Sequence, residues 1–362
     1  MRTLVALFLT ATFASAATAQ SSDWQAKWDQ ALAAAKKEGK IVIAGSPDPV
    51  MRKEIIPKFT SQFGITVDFI TGRSSEIGSR LRTEREAGIH SIDILLPGLR
   101  STTSILYPEK MLDPVKPMLI RPDVVDPAKW KTGEPWFIDP EKKYVLRLFS
   151  SVSGVFHINT DQVKPDEMKT PDDLLNPKWR GKISTDDPAA AGRGANTAAI
   201  LYTYFGEEFV KKLYLDQNPM ISRNRRQLAD WLARGTYPIS LSVQDEDAED
   251  LRKEGFHIKE VPGLTGLPGI LSGSPFVVTL INKAPHPNAA LIFINWIASK
   301  EPLEIYSRSV SSATLRTDVD ESFLPAKIIP KPGVKYFDSY GWDWATDTGE
   351  GVRRKMKELL RR

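Results

Sequence analysis

Short apolar runs alternate along the chain with segments whose apolar residues recur every three or four positions. The continuous runs predict strands, and the longer periodic segments predict amphipathic helices. In the first third these elements are strands at 41–43, 65–70 and 91–96 and helices at 24–38, 55–63 and 75–87. Strand and helix alternating at this spacing are typical of a parallel α/β sheet.

The pattern is interrupted once and then resumes. Residues 108–140 are proline-rich with little periodicity, which predicts a surface connection, and residues 144–158 have a β-rich composition. Strands are then predicted at 182–184, 239–243 and 256–261, with helices at 195–204, 207–216, 227–233 and 245–254. This second alternation predicts a second α/β lobe. The predicted division is a signal peptide at 1–19, lobe one at 20–140, lobe two at 141–265, a return to lobe one at 266–325, and a C-terminal helical tail packing on lobe two at 326–362.

The N-terminus has the pattern of a secretory signal peptide. Arg2 is followed by an apolar run at 4–13 and by small residues with two overlapping Ala-x-Ala patterns, so cleavage is predicted after Ala19. The run is shorter than the roughly 20 apolar residues that span a bilayer. The alternative is an N-terminal core helix. The chain has no cysteine, which excludes a lipid-anchored cysteine and thiolate zinc sites, so a protein free in the periplasm, or secreted, is expected.

Composition and charge favour a globular protein without a nucleic-acid role. Hydrophobic residues make up 41% and charged residues 26%, as in soluble domains. Losing Arg2 from the 49 basic residues leaves 48 against 45 acidic residues, which is nearly balanced. The basic run at 353–362 places Met356, Leu359 and Leu360 at helical spacing, so it is interpreted as a solvated helix with one apolar face.

Three segments carry a family resemblance. They are a helix leading into Gly-Lys-Ile-Val-Ile at 28–46, a segment ending in Trp-Arg-Gly-Lys-Ile at 170–183, and Lys-Ala-Pro-His-Pro-Asn leading into an apolar helix at 283–301. In this order the chain resembles the periplasmic substrate-binding proteins of ABC importers, in the branch that includes ferric-iron and thiamine binders. In the last segment, Asn288 is expected to cap the helix that follows.

The resemblance implies an α/β, two-lobe periplasmic-binding-protein-like fold, with a mixed sheet flanked by helices in each lobe and a hinge between them. It also implies a monomeric binding protein without cofactor or catalysis. Such a protein captures a small solute in an inter-lobe cleft and delivers it to an ABC permease with its ATPase. Hinge closure around a ligand is an established transition of such proteins.

Candidate ligand-binding residues lie in loops that follow predicted strands, because ligands of open α/β sheets bind beyond the carboxyl ends of the strands. Helix N-termini and arginines in these loops favour an oxyanion. For each residue a structural role, as a turn arginine or a helix cap, is the alternative. The candidates are Ser46, Gly72, Arg73, Ser74, Ser151, Ser153, Arg193, Asn196, Thr197, Arg223, Gln244 and Asp245.

Two more specific sites are disfavoured. The Gly-x-Gly-x-x-Thr at 192–197 lacks the third glycine of a dinucleotide-binding loop, and an exported protein meets little NAD. Ferric-binding relatives usually hold the metal with adjacent tyrosines near 243–246, whereas this chain has no adjacent tyrosine pair. Asp245, Glu246 and Asp247 stay formal iron ligands, although a solvated helix start explains them better, and no metal is predicted.

The leading hypothesis is therefore a binding protein for a small anionic organic solute or phosphate ester. One alternative within the same family is a ferric-iron or metal-chelate binder. An alternative of another class is a secreted hydrolase that uses two carboxylates. None of the four histidines lies in a His-Glu-x-x-His motif, and the chain has no nucleophile-elbow motif, so an enzyme is not predicted.

Overall fold

The structure, a computed structural model, describes residues 12–72, 74–190, 193–272 and 276–360. The chain divides into two compact units. The first unit comprises Met1–Ser150 and Gly273–Leu324, and the second comprises Ser151–Ser272 and Pro325–Arg362. The chain thus enters the second unit at residues 151 and 325. The sequence pattern predicted these two points at residues 141 and 326.

The strands are short and form three sheets. In chain order they are β1 Lys40–Gly45, β2 Thr66–Thr71, β3 Ile94–Leu96, β4 Leu112–Asp113, β5 Trp136–Phe137, β6 Leu146–Arg147, β7 Ser151–Ser153, β8 Phe156–Asn159, β9 Ile183–Thr185, β10 Met220–Ile221, β11 Ile239–Ser240, β12 Ile258–Val261, β13 Ile270–Ser272, β14 Val277–Ile281 and β15 Phe337–Asp338.

The α-helices are α1 Thr12–Glu38, α2 Ile56–Phe63, α3 Ser74–Glu86, α4 Leu99–Ser101, α5 Pro122–Val125, α6 Pro171–Leu174, α7 Arg193–Lys211, α8 Arg225–Ala233, α9 Asp245–Lys253, α10 Pro287–Ile297, α11 Lys300–Val310, α12 Trp342–Ala345 and α13 Asp347–Leu359. Five-residue π-helical segments lie at Met51–Ile55, Thr102–Leu106 and Lys212–Asp216, and single 3₁₀ turns lie at Lys116–Met118, Pro127–Lys129, Pro165–Glu167 and Pro177–Trp179.

The signal-peptide prediction falls partly outside the described residues. Residues 1–11 are among those not described, and residues 12–19 lie in the first turns of α1. Among the described residues, no helix combines the length and the apolar character that crossing a bilayer requires.

The first unit is built on a mixed seven-stranded sheet. Its order is β2-β1-β3-β14-β6-β5, with β4 also paired to β14. The strands β1, β2 and β3 are parallel. Strand β14 pairs antiparallel with β3, β4 and β6, and β6 pairs antiparallel with β5. The apolar faces of α1, α2 and α10 cover the sheet, and an aromatic cluster of Phe59, Phe63, Phe293 and Trp296 fills the core between the helices. The predicted sheet of the first lobe thus forms from its continuous apolar runs.

The prediction that residues 108–140 form a surface connection is wrong. Val115, Val124 and Trp130 from this stretch are buried in the core of the first unit. The Trp130 indole Nε1 donates a hydrogen bond of 2.7 Å to the Val124 carbonyl oxygen. Prolines break the periodicity of the stretch without keeping its large apolar side chains in water.

The sequence suggested that Asn288 caps helix α10. In the structure, the capping group comes from another helix, α1. The Asn288 amide side chain donates to Glu38 Oε1 at 2.7 Å, and the Ala289 N–H donates to Glu38 Oε2 at 2.8 Å. The carboxylate at the last residue of α1 thus satisfies free N–H groups at the N-terminus of α10. The prediction named the correct helix end but the wrong capping group.

The second unit contains a five-stranded sheet of order β10-β9-β11-β8-β12 and a three-stranded sheet of order β15-β13-β7. In the larger sheet, β9, β10 and β11 are parallel, while β8 pairs antiparallel with both of its neighbours, β11 and β12. Apolar residues of α7 pack in one core cluster with Met356 and Leu360, which both lie at the C-terminal end of the chain. Helices α8 and α9 form a smaller cluster with Ile258.

Candidate functional site

The parallel strands of the second unit place helix N-termini at one edge of its larger sheet. Strands β9, β10 and β11 end at Thr185, Ile221 and Ser240, and the chain then leads into α7, α8 and α9. Such an edge presents free backbone N–H groups and the positive end of the helix dipole. It is therefore the part of this unit that is best suited to bind an anion.

Two of the predicted residues meet at this edge. Arg193, the first residue of α7, has its Nη2 atom 3.5 Å from Oδ1 of Asp245, the first residue of α9. The side chains are 31% and 44% exposed, respectively. A contact of this length is at the limit of a hydrogen bond, and exposed ion pairs of this kind contribute little to stability. The guanidinium is therefore available to a better anionic partner.

A buried histidine lies next to this pair. His157 of β8 is only 2% exposed, and its Nε2 atom is 3.5 Å from Asp245 Oδ1. Burial, and then the positive charge of Arg193, lower the pKa of His157 to about 3. The imidazole is therefore neutral at physiological pH.

Glu260 lies opposite His157 on the neighbouring strand β12. Its Oε2 atom accepts a 2.7 Å hydrogen bond from Lys327 Nζ, and its Oε1 atom accepts one from the Gly154 N–H. Burial opposes ionisation of this carboxyl, but the hydrogen bonds from Lys327 and Gly154 hold the pKa of Glu260 below its ordinary value. A Cβ atom at position 154 would overlap the Glu260 side chain, so the glycine is required for this arrangement.

The row of side chains that contains His157 is polar and incompletely satisfied. Ser240 pairs with both His157 and Ser184 in the sheet, so the three side chains lie on one face. All three are buried, and His157 Nδ1, Ser184 Oγ and Ser240 Oγ have no hydrogen-bond partner among the described residues. A buried polar atom without a partner is uncommon and costly, which points to a functional use of this row.

The same residues include a possible metal-ligand set. One ligand atom each from His157, Asp245 and Glu260 lie within 4.8 Å of one another. A nitrogen and two carboxylate oxygens suit Zn²⁺ or another transition metal. However, Arg193 Nη2 lies 3.5 Å from Asp245 Oδ1 and Lys327 Nζ lies 2.7 Å from Glu260 Oε2, so a metal ion would compete with both cations.

In the first unit, the structure places two predicted residues side by side. Ser46 follows β1 and Gly72 follows β2, and these strands are paired up to their ends. Ser46 is exposed, and the Gly72 N–H donates to the Gly45 carbonyl oxygen. Ser74 is the first residue of α3. Arg73 lies outside the described residues.

The remaining predicted residues belong to the second unit, and no side-chain hydrogen bond or ion pair with Arg193 or Asp245 is found for them among the described residues. Asn196 Oδ1 accepts a hydrogen bond from the Trp344 indole, and Thr197 is buried within α7. Ser151 and Ser153 lie in β7, which pairs with β13. Arg223 is exposed before α8, and Gln244 is the N-cap residue of α9 without a side-chain capping bond. Their roles in binding stay predictions.

Sequence reasoning missed His157, Glu260 and Lys327. His157 stood in no motif, and the pairing of β8 with β12 brings together residues about a hundred positions apart. The available signal was a polar residue inside an otherwise apolar strand, Phe-His-Ile-Asn at 156–159. That signal marks a candidate but does not name its partners.

Residues 54–334 match the family model described as bacterial extracellular solute-binding protein, and the chain belongs to this family. The class of protein predicted from the sequence segments is thereby confirmed. An uncharacterised protein of Haemophilus influenzae is 22% identical over 327 residues, covering 85% of this chain and 87% of that protein. Iron uptake protein A1 of Synechocystis is 28% identical over 131 residues. The matched region covers 36% of this chain and 32% of that protein.

Solved structures of periplasmic binding proteins share the fold. The protein AfuA from Actinobacillus pleuropneumoniae, with fructose-6-phosphate bound, superposes with a TM-score of 0.64 at 17% identity, over 89% of this chain and 98% of that one. The ferric binding protein from Campylobacter jejuni gives a TM-score of 0.64 at 17% identity, over 88% and 99%. The predicted α/β binding-protein fold with mixed sheets is therefore confirmed.

Proposed function

We propose that this solute-binding protein captures a small organic solute that carries an oxyanion, and that Arg193 binds the oxyanion. The single observation that supports this best is the loose Arg193–Asp245 contact of 3.5 Å at the N-terminus of α7. A carboxylate or phosphate can take two parallel hydrogen bonds from one guanidinium, which is a shorter and stronger contact.

The neighbouring carboxylate adds to the expected chemistry of the ligand. When an anion takes Arg193, Asp245 Oδ1 at 3.5 Å can accept a hydrogen bond from a hydroxyl group of the same ligand. A hydroxylated phosphate ester or hydroxy acid has both groups. The similarity to AfuA, a protein with fructose-6-phosphate bound, agrees with this ligand class.

A second candidate is a metal or metal-chelate ligand. The observation that favours it is the cluster of His157, Asp245 and Glu260. The partial similarity to iron uptake protein A1 points in the same direction. Elemental analysis of the purified protein separates the two candidates, because a metal binder is expected to carry stoichiometric metal and an anion binder is not.

The protein is further proposed to be exported after cleavage near Ala19 and to act as a monomer. It delivers its solute to an ABC permease with its ATPase. Binding without chemical conversion is the function expected of this family. Release of any product from a bound solute would contradict this and favour the hydrolase alternative.

A thermal-shift screen tests the proposed ligand class. The panel contains inorganic phosphate, fructose 6-phosphate, citrate, ferric citrate and thiamine, applied to protein freed of carried-over ligand. A ligand at 100 times its dissociation constant adds about 2.7 kcal/mol to the free energy of unfolding. We expect stabilisation by an organic anion without iron. Stabilisation by ferric citrate alone, with no effect of citrate, would overturn the anion proposal in favour of the metal.

A further inference from the structure

The first unit contains a pocket with a volume of about 160 Å³. Its lining residues all belong to the part of this unit that precedes residue 151, and they include Lys116, Glu134, Trp136, Phe137 and Lys142. A cavity of about 150 Å³ holds one benzene molecule, so a single six-membered ring fits in this pocket. The lining shares no residue with the candidate site described above.

Two aromatic side chains contribute to the pocket lining. Trp136 and Phe137 make up β5, the edge strand of the seven-stranded sheet, and Trp136 is half-buried whereas Phe137 is buried. The Arg147 guanidinium carbon lies 4.6 Å from the centre of the Trp136 ring, and Arg147 Nε donates a 2.9 Å hydrogen bond to the Phe149 carbonyl oxygen. Because Arg147 is fully buried, it holds the indole ring in a fixed orientation. A fixed aromatic surface favours a ligand with a flat ring.

The charges of the pocket lining leave one positive charge in excess. Lys116 Nζ lies 3.6 Å from Glu134 Oε2, and the two side chains are 51% and 56% exposed, so this ion pair is weak. The Lys142 ammonium group has no ion-pair or hydrogen-bond partner among the described residues. Two cations and one carboxylate therefore line the pocket, which favours a ligand with one negative charge.

The acidic residues next to Lys142 in the sequence are engaged elsewhere. Asp139 is 2% exposed, and its carboxylate accepts hydrogen bonds of 2.8–3.1 Å from the N–H groups of residues 143–145. Glu141 Oε2 lies 2.7 Å from Lys143 Nζ. Lys142 has a φ of 51°, which is uncommon for a lysine, and its N–H donates to the Asp139 carbonyl oxygen. The turn thus fixes the backbone of Lys142 at the pocket and leaves its ammonium group available to a ligand.

We propose that this pocket is a second ligand-binding site, which takes a small aromatic carboxylate. The ring of the ligand packs against Trp136 and Phe137, and its carboxylate is bound by Lys142 with the help of Lys116. A neutral ring would leave the Lys142 charge without a partner, and a small anion without a ring would leave the aromatic surface in water. The site does not depend on the proposed binding of an oxyanion by Arg193.

Three fluorinated probes separate the contributions of the ring and the charge. 4-Fluorobenzoate has both, 4-fluorobenzyl alcohol has the ring without the charge, and trifluoroacetate has the charge without the ring. Binding to the unmodified protein is measured by the broadening of each probe's fluorine NMR signal as the protein concentration is raised. We expect 4-fluorobenzoate to bind with a Kd on the order of 1 mM, and each of the other probes to bind at least about fivefold more weakly.

Variants at exposed lysines test whether the probe binds in the pocket. Lys142→Gln is expected to weaken 4-fluorobenzoate binding roughly two- to fivefold. The double variant Lys116→Gln/Lys142→Gln leaves Glu134 as the only charge of the lining, so we expect weakening of roughly 5- to 25-fold. The matched control is Lys110→Gln/Lys283→Gln, which changes two exposed lysines of the same unit that also have a positive φ but do not line the pocket. We expect this control to bind the probe as the unmodified protein does.

Three results would overturn the inference. The first is undetectable binding of 4-fluorobenzoate at about ten times the expected Kd, or equal binding of 4-fluorobenzoate and either of the other probes. The second is equal affinity in K116Q/K142Q and in the K110Q/K283Q control, which would show that the probe binds outside the pocket.

The third result is loss of 4-fluorobenzoate binding in Arg193→Gln. The probe would then occupy the anion site of the proposed function, which would be supported while this inference fails. Retained binding in R193Q, together with weakened binding in K116Q/K142Q, is the result that we expect.

Discussion

Each unit has a buried ionisable residue in its core, and the two residues differ in how many hydrogen bonds their side chains make. In the first unit, Asp93 is fully buried and accepts hydrogen bonds from the Val42 N–H, the His286 N–H and His286 Nδ1 at 2.6–2.8 Å. In the second unit, His157 is equally buried, but its Nδ1 atom has no partner among the described residues. A satisfied carboxylate holds strands and loops in place, whereas an imidazole nitrogen without a hydrogen-bond partner adds no such constraint.

Asp93 has a structural role in the first unit, whereas His157 belongs to the candidate site of the second unit. Asp93 ties β1 and the segment before α10 to β3, so its bonds fix the topology of the first sheet. Among the described residues, His157 Nδ1 and the hydroxyl groups of Ser184 and Ser240 make no comparable hydrogen bond. Unpaired buried groups reduce stability, so this row is expected to stabilise the fold less than Asp93 does.

The largest predicted effect concerns Asp93. Replacing Asp93 by Ala leaves the buried Val42 N–H and two partly buried donors of His286 without an acceptor, so we expect a loss of about 3–5 kcal/mol in the free energy of unfolding. Urea denaturation followed by circular dichroism measures it. Asp68→Ala, which removes an exposed partner of Lys40, is the control and is expected to cost less than about 1 kcal/mol. A loss below about 1 kcal/mol for D93A would refute the structural role given to Asp93.

The next effect concerns pH and His157. The unfolded chain binds a proton at histidine below pH 6.5, but folded His157 stays neutral down to its pKa of about 3. Its contribution to the free energy of unfolding is therefore lost as the pH falls from 6.5 towards 3, with a slope approaching 1.4 kcal/mol per pH unit. We expect His157→Gln to flatten the stability profile by this amount, measured by urea denaturation at pH 4.5 and 5.5. Parallel profiles in the two proteins would mean that His157 is already protonated in the folded state.

A smaller effect is expected at the N-terminus of α10. Glu38→Ala removes the carboxylate that accepts from Asn288 and Ala289, so we expect a loss of about 1–2 kcal/mol. Asn288→Ala keeps the Ala289 bond and is expected to cost less. A greater loss in N288A than in E38A would restore Asn288 as the principal cap.

The smallest effect compares two buried serines of the second unit. Ser242 Oγ is hydrogen-bonded to Thr185 Oγ1 at 3.0 Å, whereas Ser240 Oγ has no partner among the described residues. Ser242→Ala should cost about 1 kcal/mol, and Ser240→Ala should be neutral or slightly stabilising. The comparison between His157 and Asp93 would lose its basis if S240A were as destabilising as S242A.

Much of the fold could be predicted because continuous apolar runs and helical periodicity are local signals. Strands β1 and β2 and helix α10 lie where those signals place them. Residues 108–140 could not be predicted in the same way, because proline suppresses periodicity while Trp130 still packs in the core. Fold prediction failed where burial does not follow a repeating pattern.

The candidate site was partly accessible to sequence reasoning. Arg193 and Asp245 were found because both begin helices that follow strands, which is a local property. Glu260 and Lys327 could not be assigned, because their relation to His157 depends on strand register and on a segment that follows residue 325. Contacts between distant segments require the tertiary structure.

The most direct test of anion binding by Arg193 is the affinity of one organic anion, the best of the thermal-shift panel. It is measured by isothermal titration calorimetry for the unmodified protein, Arg193→Gln and Arg180→Gln. Hydrogen bonds to charged groups contribute about 1.5–3 kcal/mol, so R193Q is predicted to weaken binding by roughly 10- to 150-fold, while R180Q leaves it unchanged. Equal affinity in R193Q and the unmodified protein would contradict the claim that this edge of the second unit recognises the oxyanion.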